Sequence, residues 1–259
     1  MDITNKSLSI VTGATGGLGK ALSDSILSKG GKLLFVARDL RKINSYIYTN
    51  ENSKISSLFK FQADLSKEKD LQNTKLLILE IIESNNDIEE IYLFNNASII
   101  DPISLIKDVN FNEIKNALVV NIATAYTLSS ALIRLKQNKP SLKLNIINIS
   151  SGVSVNAVKG WSAYCISKAG LNMLSKCLAI ENETEDIFSL SINPGAIDTG
   201  MQEKIRNADS VEIPATKKFE TMYNEGKLQN PKDVADKLFR ILASNDYSNG
   251  DFIDFNKIN

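Results

Sequence analysis

Short apolar runs that suit buried strands alternate with longer stretches of helical periodicity along this chain, and no other feature constrains the fold as tightly. Ser9–Val11, Lys32–Val36, Ser57–Ala63, Ile91–Phe94, Leu144–Ile149, Ser189–Ile192 and Phe252–Ile253 read as strands. Most are predominantly apolar, the pattern of strands covered on both faces. Helical patterns run over about Leu18–Ser28, Ser66–Glu83, Asn112–Leu135 (as one long helix), Trp161–Ala179 and Pro231–Leu242. The last opens on proline, which suits a first turn whose N–H groups have no intrahelical acceptor. Strands joined through helices pair in parallel, because each connection must cross the sheet. The expected fold is α/β: a single doubly wound parallel sheet with helices on both faces, its ligands held beyond the C-terminal ends of the strands. One domain over residues 1–259 accounts for the length. The polar segment 199–230 breaks the alternation and is expected to cap a pocket within that domain.

Composition narrows the chemistry. The chain has no His, which excludes Ser-His-Asp triads, Cys-His dyads and His-ligated metals; no metal site is expected. Thirty basic residues balance thirty acidic ones, so the basic excess of a nucleic-acid binder is missing and no nucleic-acid partner is expected. Two cysteines, Cys165 and Cys177, do not make a disulfide framework and fit a reducing compartment. Met1–Ser9 has no basic stretch leading into an apolar one, and the run Leu76–Ile82 is interrupted by Glu80. The expectation is a cytoplasmic protein with no membrane partner and a small-molecule substrate.

The first strand runs straight into Thr12-Gly13-Ala14-Thr15-Gly16-Gly17-Leu18-Gly19, and a helix follows. Glycines there let the backbone turn tightly and approach a pyrophosphate at the helix N-terminus, where free N–H groups and the dipole favour anions. The spacing of Gly13, Gly17 and Gly19 resembles that of the short-chain dehydrogenase/reductase family, and the likeness extends from end to end. The second strand ends in Ala37-Arg38-Asp39; an acid at its tip would grip a ribose 2′-hydroxyl, whereas Arg38 suits a 2′-phosphate and favours NADP(H), with Lys42 assisting. The resemblance implies further cofactor contacts. Thr15 and Leu18 lie in the glycine loop, Asp64 and Leu65 meet the adenine, and Asn95 and Ala97 lie beside its ribose. Pro194, Gly195, Ile197 and Thr199 fix the nicotinamide carboxamide. Ser98 stands where the family's Asn-Asn-Ala-Gly segment has its glycine.

Tyr164 and Lys168 are four apart on one helix and share a face. A free tyrosine titrates near 10, and a neighbouring ammonium together with a positive nicotinamide is expected to lower that value toward working pH. Ser151 lies thirteen residues before Tyr164 at a strand end, the family's serine-to-tyrosine spacing. Asn121 sits inside the long helix, an unfavourable place for Asn. The resemblance implies a catalytic tetrad of Asn121, Ser151, Tyr164 and Lys168. In it Ser151 binds the substrate carbonyl, Tyr164 gives it a proton, Lys168 tunes Tyr164 and holds the nicotinamide ribose, and Asn121 holds a water in a proton relay. Relatives pair the helices carrying Asn121 and Lys168 across a two-fold axis, which implies a homodimer or a tetramer.

Within the family, Lys159–Cys165, Asp198–Gln202 and Asn249–Phe255 are similar to sepiapterin reductases. That likeness implies a pterin anchor at Asp254, whose carboxylate can accept two parallel N–H bonds. Trp161 and Met201 become apolar walls, with Ser151 and Tyr164 at the carbonyl. The same subgroup reduces aromatic 1,2-diketones such as benzil. An NADPH-binding redox sensor without turnover is the non-enzymatic alternative; such proteins commonly lose the Tyr or Lys retained here.

Overall fold

In the computed structural model, residues 3–41, 58–183, 186–208, 213–244 and 246–258 are described. Seven strands form one sheet: β1 (Ser7–Thr12), β2 (Lys32–Ala37), β3 (Leu58–Gln62), β4 (Glu90–Asn95), β5 (Lys143–Ile149), β6 (Ile187–Asn193) and β7 (Phe252–Asp254). All pairs are parallel, in the order β3-β2-β1-β4-β5-β6-β7. The order reverses between β1 and β4, and that switch point opens a crevice at the strands' C-terminal ends.

Successive residues of a strand point to opposite faces, so the continuous apolar runs feed two cores. Leu34, Ile91 and Ile146 pack on one face with Ile78, Leu128 and Leu171 of helices α2 (Glu68–Ser84), α4 (Thr124–Asn138) and α5 (Ser162–Glu181). Leu33, Phe35 and Phe94 pack on the other with Leu22 and Ile26 of α1 (Gly17–Ser28) and Leu238 of α8 (Pro231–Ser244). Each such buried side chain contributes about 1.5–3 kcal/mol.

The structure departs from the sequence pattern in two places that bear on function. The expected long helix is α3 (Phe111–Leu118), a π-helical turn at Val119–Ala123, then α4. Asn110 starts it with a capping box against Glu113. The run Phe111–Asn138 is long and apolar enough to cross a membrane, yet its Leu128 and Leu132 pack in the core against the sheet. Segment 199–230, polar in sequence, holds two helices among its described residues, α6 (Gly200–Arg206) and α7 (Ala215–Asn224). They are tied by the Arg206 guanidinium, 3.9 Å from the centre of the Tyr223 ring.

Candidate active site

A cleft of about 1230 Å³ runs along the strand tips from the glycine loop to α6 and α7. Every described residue expected to touch cofactor or substrate lies on it except Gly19, Asn95 and Asn121.

The glycine loop is built around places where no side chain fits. Gly17 has φ +50, and a Cβ there would come 2.6 Å from Thr199 Cγ2. A Cβ on Gly19 would stand 2.2 Å from the Gly13 carbonyl oxygen. Gly16 caps α1 without a side-chain hydrogen bond and faces open space, which leaves the helix's first N–H groups for an anion. Asn96, named in the sequence only as part of its motif, holds the loop in place: its Nδ2 donates to the Thr12 and Gly13 carbonyls at 2.8 and 3.3 Å. The Thr12 hydroxyl in turn accepts from the Asn96 and Ala97 N–H groups, both at 3.0 Å. A dinucleotide's pyrophosphate therefore fits this cradle.

Arg38 projects from the tip of β2 into the cleft. The neighbouring Asp39 is gripped through both oxygens by Arg41, from Nε and Nη2 at 2.9 Å each. Lys42 lies outside the described residues. Asp64 accepts from the Ser66 hydroxyl at 2.7 Å, and that bond holds its carboxyl below the usual range against partial burial; Lys67 and Arg38 pull in the same direction. Asp64 thus braces the entry to α2 as well as facing the cleft, while Lys67 rather than Ser66 occupies the N-cap. Asn95 is turned away from the cleft. Its buried amide donates to Asn148 Oδ1 at 2.8 Å, and Asn148 donates to Ser175 at 2.8 Å, so its side chain links β4 to β5 and α5. An adenine-ribose contact by the Asn95 side chain does not follow from this placement.

Ser151 lies two residues beyond β5 and caps the short turn Gly152–Ser154, its hydroxyl accepting weakly from Val153 N–H at 3.4 Å. Behind it, Ser154 donates to the Ser151 carbonyl at 2.6 Å and Asn172 Nδ2 donates to Ser154 at 2.8 Å. Ser150, the neighbour most easily confused with Ser151, is buried and donates to Asn172 at 2.6 Å. The strand tip is thereby fastened to α5, the helix that carries Tyr164 and Lys168. The Tyr164 phenol shares the cleft wall with the hydroxyl-bearing Ser151 and Ser98. Burial pushes the phenol up to about 12, while those two hydroxyls pull it down. Burial also pushes Lys168 down to about 7. The expectation of a lowered Tyr164 is not met by the protein's own groups, because desolvation of the phenolate exceeds what two hydroxyls return.

Asn121 lies in the π turn and is buried. Its amide clamps the backbone of Ile99 in both directions, Nδ2 to the carbonyl and Oδ1 from the N–H, at 2.8 Å each. Nδ2 also donates to Ser167 at 3.0 Å. The side chain is thus committed to protein groups, and the water-holding role expected of Asn121 does not fall to its amide.

At the far end, Trp161 stacks on Phe219 of α7 with ring centres 5.4 Å apart, and meets Tyr164 edge-on at 6.3 Å. Met201 and Ile205 of α6 join this cluster. Phe219 was not singled out in the sequence; its apolar body among polar neighbours in 199–230 is the signal that could have marked it. Asp254 faces the cleft from the end of β7, and its Oδ1 accepts from Asn193 Nδ2 at 2.7 Å and from Asn256 N and Nδ2 at 3.0 Å. Among the described residues, no cluster of acidic, Cys or His side chains could hold a metal ion.

A family model described as short chain dehydrogenase matches residues 8–210. Benzil reductase ((S)-benzoin forming) of Bacillus subtilis is 31% identical over 91% of this chain and 93% of its own length. Sepiapterin reductase of Rattus norvegicus is 28% identical over 95% of each chain. The crystal structure of KRED1-Pglu enzyme superposes with a TM-score of 0.79 at 26% identity, covering 95% of this chain and 99% of that one. A parallel sheet with this switch point, a glycine cradle at its crevice and a serine, tyrosine and lysine brought together beside it agree with those likenesses: the chain belongs to the short-chain dehydrogenase family, oxidoreductases of carbonyl and alcohol groups that bind a nicotinamide cofactor.

Proposed function

We propose that this protein is an NADPH-dependent carbonyl reductase acting on a ketone or 1,2-dicarbonyl attached to a flat ring system. The observation that carries the reading is the junction of the Tyr164 and Ser151 hydroxyls with the aromatic wall of Trp161 and Phe219. A nicotinamide bound here supplies or accepts hydride at the substrate carbon. Arg38 holds the 2′-phosphate, and the open N-terminus of α1 holds the pyrophosphate. Ser151 donates to the substrate oxygen and Tyr164 transfers its proton to that oxygen. Lys168 is fixed by the Ile149 carbonyl at 2.7 Å and sets the charge beside the phenol. The aromatic wall excludes water and orients the ring, so only the carbonyl reaches the hydroxyls.

Two substrate classes fit. Asp254, with all its described contacts on Oδ1, offers Oδ2 as a charged acceptor to an N–H donor on a ring edge, as in sepiapterin. The stacked Trp161 and Phe219 equally favour a diaryl diketone such as benzil. A homodimer is supported by exposed apolar side chains: Phe111 and Tyr126 on α3 and α4, and Ile166, Met173 and Ile180 spaced seven apart on α5. Light scattering tests that assembly. NADPH oxidation measured across pterins, aromatic diketones and acyl thioesters tests the reaction. Turnover of the first two classes is expected; stoichiometric NADPH binding with no turnover of any carbonyl would instead favour a sensor.

A further inference from the structure

One cation of the cap has no part in the chemistry above. Helix α7 turns Ala215, Lys218, Phe219 and Met222 to the cleft, the i, i+3, i+4, i+7 spacing of a single helix face. Lys218 is the one charged side chain on that face. Other cations of the cap are engaged elsewhere. Lys204 pairs with Asp101 at 2.6 Å and Lys227 with Glu225 at 2.6 Å, while the Arg206 guanidinium lies over the Tyr223 ring. Lys217 stands off the cleft. Lys218 makes no hydrogen bond or ion pair with any described residue. Its own helix offers no acid either: the positions three and four away hold Ala215, Thr221, Pro214 and Met222.

The place of this charge is set by the aromatic wall. Tyr164 meets Trp161 edge-on, and Trp161 stacks on Phe219. Lys218 adjoins Phe219, the ring of that series remote from the phenol. Two other charged side chains share this end of the cleft, and both are held: Lys168 by the Ile149 carbonyl, Asp254 by Asn193 and Asn256.

We propose that Lys218 is a specificity-determining residue, favouring carbonyl substrates that carry a carboxylate on the ring end away from the reacting carbonyl. The proposal rests on the reductase reading and narrows its substrate class to aromatic keto compounds bearing that acid. An ammonium is a compact point charge with three donors, which matches one monoanion. A phosphate dianion would keep an unpaired charge in a cleft that also holds Asp254. Apolar neighbours such as Phe219 and Met222 shield the pair from water on one side, so it is screened less than a pair on open surface. Lys218 is itself exposed, so changing it leaves the packing of α7 in place.

Benzil and benzil bearing a para-carboxylate differ by one acid group, so the ratio of their kcat/KM values reads the charge preference. Wild type is expected to favour the acid. In Lys218→Met the ratio should fall roughly fivefold or more, the upper range of an exposed ion pair, and in Lys218→Glu further still. Lys218→Arg, which keeps the charge, should hold the ratio within about twofold of wild type. Added salt at about 0.5 M should bring the wild-type ratio toward that of Lys218→Met. A ratio equal in wild type and Lys218→Met would overturn the proposal, as would an equal fall in Lys218→Arg and Lys218→Met. Calorimetric titration of both compounds into the NADPH complex makes the same comparison without turnover. Weaker binding of the acid to Lys218→Met than to wild type supports the proposal even where neither compound is reduced, and equal binding refutes it. A failure of the reductase reading is thereby distinguished from a failure of this one.

Discussion

The Lys168 ammonium lies 5.4 Å from the centre of the Tyr164 ring and donates to the Ile149 carbonyl at 2.7 Å. The ammonium thus lies over the ring face, with a hydrogen bond committed to the strand end. Both groups are buried, and burial drives both toward their neutral forms, the phenol to about 12 and the ammonium to about 7.

The first prediction concerns the phenol. Tyr164→Phe keeps the edge contact with Trp161 and removes only the hydroxyl. A fall in kcat of roughly 10²-fold or more is expected, the scale of a lost general acid, with a melting temperature within a few degrees of wild type. Steady-state rates and thermal melts check it; near wild-type turnover would remove Tyr164 from the chemistry.

Lys168 should act against stability. Its folded value of about 7 lies below the ordinary 10.5, so the unfolded chain holds the proton more tightly. Between those values stability rises with pH, and below about 7 the full penalty stands. Lys168→Met removes a cost of a few kcal/mol, less about 1 kcal/mol for the lost hydrogen bond to Ile149. Without added nicotinamide, the variant should melt several degrees above wild type at pH 6, and the gap should close toward pH 10. A gap that ignores pH would contradict the assignment. Tyr164 and Tyr247, both raised to about 12, contribute alike in the two proteins.

Asp254 separates the two substrate classes. Asp254→Asn keeps an oxygen for the Asn193 and Asn256 donors while losing the charge and one acceptor. Sepiapterin reduction should fall roughly 10- to 100-fold in kcat/KM, the worth of a hydrogen bond to a charged group, with benzil reduction little changed. Equal losses on both would make the residue structural.

Cofactor choice turns on the tip of β2. Arg38→Asp replaces the proposed partner of a 2′-phosphate with a repelling charge, close to the existing Asp64. NADPH should weaken at least about tenfold more than NADH, or 1.4 kcal/mol of selectivity. Binding titrations of both cofactors decide it, and an equal loss would count against Arg38.

The sheet was legible because its strands are short, mainly apolar runs set between helical patterns: Leu33–Ala37 is apolar and buried at every position. The spacing of Ser151, Tyr164 and Lys168 was legible because one helix and one strand end fix it. The π turn was not. Val119-Val120-Asn121-Ile122-Ala123 keeps helical periodicity, and only the clamp on a distant backbone at Ile99 explains the Asn. Helix α7 was hidden for another reason: of its described side chains only Thr216 is buried, so no apolar stripe announces it. The contact of Ser98 with Asn121, 3.1 Å between Oγ and Oδ1, depends on how the end of β4 meets the π turn in space. The direction of the Tyr164 shift depends on burial that no local pattern encodes.

Trp161 stands between two structures, with Phe219 of α7 on one side and Tyr164 on the other. Immediately before it, Gly160 has φ +82, and a Cβ there would come 2.9 Å from Ile213 at the approach to α7. The wall proposed to select the substrate and the phenol proposed to protonate it are thus mechanically one piece. Substrate range in this chain is not a detachable module: grafting a foreign 213–224 segment would release Trp161 and, through it, reset the seat of the reacting phenol.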